Sequence, residues 1–344
     1  MFLLFNLKDF IILLITIYDN SNLINILTKK ITMNKKINGK TIIIFGGNGF
    51  LGKQIIKDLS NFNCKIILPT RNPKNAHEIR LLGKIGQITI IPFTNFDKDS
   101  LKKLISGCDV VINLIGILFE NKRQSFDYVH RELVSLISEV SKNVKVKHFL
   151  HLSALGIEKN ITSKYAKTKL AGEEELLNNF PESVILRPSV VFGSDDNFIN
   201  MFSNISNFSP FLPLVGAPST KELKIFKSVV QFQPIYVGDL SKFLINTILE
   251  KNKKYELAGP TVYSFDEILN LIFEVKKIKR FLIPLPFFAA SAAALILEKL
   301  PKPPLTRDQV ELMKNDSISK KGFENLNKVI KNPKSMELIL PTYI

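Results

Sequence analysis

The sequence predicts an α/β protein, a doubly wound parallel sheet with helices on both faces and a smaller C-terminal region beside the sheet. Three observations predict it. Short β-branched runs alternate with amphipathic helical patterns through most of the first two hundred residues. A glycine-rich loop joins the first of those runs to the first helix. The chain, at 344 residues, is too long for a single compact core and leaves room for an added region.

The runs fall at Thr41 to Phe45, Lys65 to Leu68, Ile88 to Ile91, Val110 to Leu114, Phe149 to Ser153 and Val184 to Leu186. Helical patterns lie between most of them, and Leu51, Ile55, Ile56 and Leu59 share one helix face. A βαβ order implies right-handed crossovers and a parallel sheet covered on both sides. After Phe192 an Asn/Ser/Phe/Pro-rich stretch runs to Gly216, and a strand and helix return at Pro234 to Leu249. The expected division is a core over 41–200 completed by 232–252, with 201–231 and 253–344 as a substrate-side, membrane- or partner-facing region.

Residues 1–40 read as an N-terminal extension. Phe2 to Tyr18 is apolar but broken by Asn6, Lys8 and Asp9, so it falls short of the about 20 residues a bilayer requires. It has neither the basic start nor the small-residue cleavage site of a signal peptide. Met33 opens a typical cytosolic start just before the first strand, so Met33 is expected to be the true start, with a weak amphipathic anchor as the alternative.

A composition of 45% hydrophobic and 23% charged residues excludes wholesale disorder and a multi-span membrane protein. The net charge of +16 favours phosphorylated ligands, anionic lipid or nucleic acid. No nucleic-acid motif accompanies it, so nucleic acid is not an expected partner. Cys64 and Cys108 form no CxxC or zinc-ligand pattern and read as small buried side chains in a reducing, cytoplasmic setting. No spacing points to a metal site.

The first candidate site follows the first strand. Gly46, Gly47, Asn48, Gly49, Phe50, Leu51 and Gly52 join it to the amphipathic helix, with glycines spaced GxxGxxG. The first glycine permits the tight turn, the middle one admits pyrophosphate to backbone N–H groups, and the third lets helix pack on strand. A helix N-terminus then faces the phosphates. This is a Rossmann-type dinucleotide loop. The second strand leads into Leu68-Pro-Thr-Arg71 with Lys74 nearby and no acidic residue in the turn, which favours NADP(H), with NAD(H) second. Asn113 and Gly116 close the fourth strand, Gly116 either passing the cofactor or serving as an ordinary turn glycine. Thr94 or Asn95 stands where an adenine-contacting Asp is frequent in related enzymes.

Tyr165 and Lys169 lie four residues apart, on one face of a helix. In a YxxxK pair the lysine binds the nicotinamide ribose and lowers the tyrosine pKa, so that the phenol exchanges a proton with substrate during hydride transfer. Ser153, ending the fifth strand, is the candidate third catalytic residue. Ser163 is another hydroxyl in reach, either serine serving equally as a cap or turn residue. His151 reads as packed.

Taken together, Gly46 to Gly52, Val111 to Gly116, Tyr165 with Lys169, Leu186 to Gly193, Gln233 to Asp239 and Leu305-Thr-Arg-Asp-Gln-Val310 resemble the atypical short-chain dehydrogenases of epimerase/dehydratase type. Within them the chain is similar to the nucleotide-binding accessory subunit of respiratory complex I and its bacterial relatives, Leu305 to Val310 being the more specific piece. The resemblance implies a tightly held NADP(H), Arg187 and Pro188 near the nicotinamide, and Asp239 capping the helix that returns to the sheet. For Arg187 a fold-stabilising ion pair is the equal alternative. Two functions stay open: redox or epimerase chemistry on a small quinone-like, isoprenoid or nucleotide-sugar substrate, or a structural or sensing nucleotide in an assembly partner.

The last pattern is Lys276-Lys-Ile-Lys-Arg280, a basic run before the uncharged stretch Phe281 to Leu297. Pro284 and Pro286 leave too short a helix to span a bilayer. Peripheral docking on an inner membrane or on a membrane-bound partner such as complex I is expected, with burial in the fold as the alternative.

Overall fold

A computed structural model of the chain describes residues 37–217 and 227–344; the expectations for the N-terminal extension and for Met33 lie outside the described residues. Six strands form where the apolar runs place them: β1 (Thr41–Phe45), β2 (Lys65–Thr70), β3 (Ile88–Pro92), β4 (Val110–Asn113), β5 (His148–Leu152) and β6 (Val184–Pro188). Next come the short strands β7 (Val191–Phe192), β8 (Phe211–Val215), β9 (Gln231–Phe232) and β10 (Ile235–Tyr236), then β11 (Lys253–Leu257), β12 (Tyr263–Ser264) and β13 (Phe281–Leu285).

The main sheet has seven strands in the order β11-β6-β5-β4-β1-β2-β3. Every pairing in it is parallel. β1 therefore pairs with both β2 and β4, which makes the carboxyl ends of β1 and β4 the topological switch point where a crevice opens.

The helices follow from capping and apolar spacing. One face of the sheet carries α1 (Phe50–Leu59), whose Leu51, Ile55, Ile56 and Leu59 are all buried as the spacing predicts. The other face carries α2 (Lys98–Ile105), α3 (Leu133–Asn143) and α4 (Lys164–Asn179) over Phe149, Leu176 and Phe180. Then come α5 (Phe198–Phe208), α6 (Val237–Thr247) beside α1, α7 (Phe265–Lys276), α8 (Phe287–Leu297), α9 (Arg307–Leu312), α10 (Lys320–Val329) and α11 (Met336–Ile339). A second apolar core joins Phe192, Phe202, Phe232, Phe265, Ile272 and Val310 in the C-terminal region.

Three expectations change. The sheet does not end at residue 252: β11 is its edge strand, and α10 packs on it, so parts of 253–344 belong to the core. Lys253-Lys-Tyr-Glu-Leu257 hides from pattern reading because an edge strand keeps polar side chains in water. Asp239 lies in the first turn of α6 without capping it; its carboxylate accepts the backbone N–H of Lys334 at 2.7 Å. The basic run divides: Lys276 Nζ donates to the Ser203 carbonyl at 2.7 Å, and Arg280 Nε to that of Ser206 at 2.8 Å. Both cations thus lie against the C-terminal half of α5, and Arg280 meets a carbonyl that lacks an intrahelical partner. Lys277 and Lys279 remain exposed.

Cys64 and Cys108 are buried as expected, and burial pushes both thiols up to about 11. Among the described residues no helix is long and apolar enough to cross a membrane.

Candidate functional site

The glycine loop is built to hold backbone, not side chains, at its surface. Gly46 has φ +78°, a conformation that L side chains rarely adopt, and a Cβ there would lie 3.0 Å from the Leu114 backbone. A Cβ at Gly52 would lie 2.4 Å from the Cα of Gly47, so only glycine lets α1 approach the loop. Gly49 is the N-cap of α1, and the first intrahelical bond runs from the Lys53 amide to its carbonyl at 3.0 Å. The amides of Phe50, Leu51 and Gly52 therefore have no partner within the helix, the arrangement that suits a pyrophosphate. Asn48 and Phe50 are half-buried beside them, whereas the Leu51 side chain points into the core.

Arg71 stands just past β2, exposed and without an ion-pair partner among the described residues, with Lys74 exposed three residues on. Beyond β3, Asp97 is the nearest acid. Its carboxylate caps α2 by accepting the Ser100 amide at 2.8 Å, and Asn95 donates to it.

Between β4 and α4 lies a buried polar cluster. Asn113 Oδ1 accepts the Ile115 amide at 3.1 Å, which turns its Nδ2 toward His151 Nδ1 at 3.3 Å. The His151 proton then sits on Nε2, which has no partner. His130 Nε2 accepts the Ile117 amide at 3.2 Å, so its Nδ1–H faces Thr168 Oγ1, also at 3.2 Å. Burial, with Lys169 nearby, pushes His130 down to about 2 and His151 down to about 3, so both rings are neutral.

Tyr165 and Lys169 share one face of α4. The Tyr165 ring packs edge-on against His130 at 5.0 Å and Phe126 at 5.8 Å. Burial and the Asp308 carboxylate push its phenol up to about 12. Lys169 Nζ donates to the Leu152 carbonyl at 3.2 Å, and a Cβ at Gly116 would stand 3.3 Å from it. Gly116 therefore leaves room for the ammonium. Burial lowers Lys169 to about 8.

The remaining candidates divide. Arg187 is 3% exposed and bound by a two-pronged fork to Glu173, at 2.8 and 2.7 Å, with its third nitrogen on Glu158 at 2.7 Å. Its guanidinium serves an ion pair and is closed to a ligand. The Pro188 carbonyl accepts the Leu155 amide at 2.9 Å. Ser163 is the N-cap of α4, accepting the Ala166 amide at 3.1 Å. Ser153 Oγ is buried with no hydrogen-bond partner of good geometry, on the Glu173 side of β5.

Pattern reading missed His130, Glu173 and Asp308 as members of this neighbourhood. For Glu173 a signal existed: it lies four residues past Lys169, on the same face, so its carboxylate had to go where the lysine goes. Asp308 accepts from Ser163 Oγ and from the amides of Lys164 and Tyr165.

A switch-point crevice, a glycine cradle with free amides and a Tyr/Lys pair at the same carboxyl edge define an NAD(P)H-binding protein of the short-chain dehydrogenase and epimerase type. Residues 46–197 match the NAD(P)H-binding family. An epimerase of Methanothermobacter thermautotrophicus shares the fold, with TM-score 0.66 at 17% identity, over 91% of this chain and 93% of that one. The mouse protein "NADH dehydrogenase (ubiquinone) 1 alpha subcomplex subunit 9, mitochondrial" is 31% identical over 307 residues, 88% of this chain and 79% of that one. Its Arabidopsis thaliana counterpart is 28% identical over 82% and 71%. The chain belongs to the family of these complex I accessory subunits.

Proposed function

We propose that the protein holds NADP(H) as a resident ligand in a membrane-associated respiratory assembly, without turning over a small substrate. The observation that carries this reading is an asymmetry within the site. The phosphate cradle is complete, whereas the catalytic half offers no free serine hydroxyl: Ser153 Oγ is enclosed on the Glu173 side of β5, and Ser163 Oγ is engaged in the α4 cap. Mass spectrometry of the native purified assembly should find the nucleotide retained and respiratory subunits alongside.

Within this reading Arg71, with Lys74, receives the 2′-phosphate through a guanidinium fork. NADPH should bind about tenfold or more tightly than NADH, as a charge-assisted pair is worth roughly 1.5–3 kcal/mol. Arg71→Asp should remove that preference in calorimetry. Equal affinities of the wild-type chain for both nucleotides would remove the 2′-phosphate assignment.

Attachment to the membrane side of such an assembly is read from the α8 region. Phe288, Leu295 and Ile296 on α8, with Phe211, Phe281 and Ile283 on the β8–β13 pair, are exposed beside Lys277 and Lys279. An apolar face flanked by lysines fits an anionic inner-membrane surface.

The second reading, oxidoreductase or epimerase chemistry, keeps the Tyr165/Lys169 spacing on its side. A bound nicotinamide supplies the hydride chemistry; the chain would exchange a proton at Tyr165 Oη and orient the ribose through Lys169. Tyr165→Phe should then abolish turnover at unchanged nucleotide affinity.

A further inference from the structure

We propose that Asp308 is a positioning residue of the nucleotide site, supplied by the C-terminal region to the start of the helix that carries Tyr165 and Lys169. This rests on the nucleotide reading of that site. Both carboxylate oxygens are engaged: Lys164 N–H donates to Oδ1 at 2.6 Å, while Tyr165 N–H and Ser163 Oγ donate to Oδ2 at 3.1 and 2.9 Å. Ser163 Oγ in turn accepts the Ala166 amide. The two side chains therefore satisfy the first three amides of α4, which no intrahelical carbonyl can reach. A carboxylate is also the favoured charge at a helix N-terminus.

Asp308 is itself held from three sides. Thr306 and Gln309 form a reciprocal capping box at the start of α9. Glu298 accepts the Arg307 amide at 2.6 Å and its Nε at 3.0 Å, tying α9 to the end of α8. Thr162 Oγ1 donates to Glu311 at 3.2 Å, joining α9 to the exposed turn that precedes α4. The bonds thus run from α8 through α9 to the backbone of Tyr165.

The consequence is geometric. Tyr165 sits in the first turn of α4, where helices fray when their amides are unpaired, and Lys169 follows one turn later. Fixing that first turn fixes how both side chains rotate about the helix axis, and so where they meet the nicotinamide end of the crevice. The segment Leu305 to Val310, which shares no strand with the sheet, thereby acts on the site through the backbone and the Ser163 cap at the start of α4.

The test compares wild type, Asp308→Ala and Asp308→Asn for NADPH affinity, read from the nucleotide's own fluorescence, and for amide exchange along α4. Asp308→Ala should weaken NADPH about tenfold, the effect of losing a charged cap. Lys164, Tyr165 and Ala166 should lose protection while Leu170 to Leu176 keep theirs. Asp308→Asn, which keeps one acceptor oxygen but turns an NH2 toward the other donor and loses the charge, should restore only part of the affinity. NADPH affinity in Asp308→Ala equal to that of wild type overturns the proposal, as does unchanged exchange at Lys164 to Ala166. Failure of the wild-type chain itself to take NADPH overturns the nucleotide reading, and this proposal's link to the site with it. The exchange result separates the two failures, because it reports on the α4 cap without nucleotide.

Discussion

Two helices of nearly equal length, ten and eleven residues, meet different fates in this molecule. In α1 the apolar residues form one stripe, and Leu51, Ile55, Ile56 and Leu59 are all buried between the sheet and α6. In α8 nearly every position is apolar, yet only Ala290 and Ala294 are buried, while Phe288, Leu295 and Ile296 face outward. The stripe states which face is covered; an apolar surface all round states only that more than the chain's own core is available to cover it. In the nucleotide half α1 is closed over by its own sheet and α6, whereas in the C-terminal half α8 leaves a face open.

The sharpest break of that closure is at its buried charges. Glu173 and Arg187 are 1% and 3% exposed and bind through a fork, joined by Lys254 at 3.1 Å. Burial opposes charge on Glu173, but the Arg187 guanidinium holds its carboxyl below the usual range. Removing the charge leaves the buried guanidinium with the exposed Glu158 as its one remaining carboxylate. Glu173→Gln should lower unfolding stability by about 3–5 kcal/mol, measured in a denaturant titration. A loss below about 1 kcal/mol, typical of exposed pairs, would mean the site is wetter than its burial states.

That pair also marks the limit of what was legible. The glycine loop, the six central strands and the Tyr/Lys spacing are local patterns, fixed by backbone geometry over a few residues, and each stands where pattern reading put it. Arg187 was legible as a residue but not as a role, because its partner lies across the α4–β6 contact. β11 was missed because an edge strand loses its apolar signature to solvent. His130 was missed because nothing in its neighbours states that a π-helical turn, Tyr128–Glu132, carries its ring under Tyr165. Long-range choice of partner, more than element type, is what the local pattern does not hold.

A second prediction uses the neutral histidines of the nucleotide half. The folded pKa of His130 is pushed down to about 2 and that of His151 to about 3, from ordinary values of 6.5. Their stabilising contribution is therefore fully present above pH 6.5 and is lost as pH falls below it, since the unfolded chain takes up protons that the folded one refuses. Each contributes a slope of about 1.4 kcal/mol per pH unit across that window. Buried Asp196 and Asp239, whose pKa values are raised by burial, oppose the loss because they favour the folded state at low pH. The clean measurement is thus a difference: His130→Gln should reduce proton uptake on unfolding by about one between pH 6 and 4. An unchanged uptake would place a charged His130 in the folded protein.

The smallest stability effect belongs to α8, and its smallness is the point. Replacing Leu295 and Ile296 together by Ser removes two large apolar side chains that are 51% and 71% exposed. Surface substitutions of this kind usually change stability by less than about 0.5 kcal/mol each. The corresponding change at Ile55, fully buried under α6, should cost about 2–5 kcal/mol as Ile55→Ala. Membrane attachment should follow the opposite order. Co-sedimentation with vesicles containing anionic lipid should fall sharply for the α8 double variant, fall further when Lys277 and Lys279 are neutralised, and weaken with salt. Each lysine near such a surface is worth about 1 kcal/mol. Ile55→Ala should leave attachment unchanged wherever the chain remains folded. If the α8 variant instead unfolds like a core mutant, then α8 is covered within the chain, and the contrast between the two halves fails.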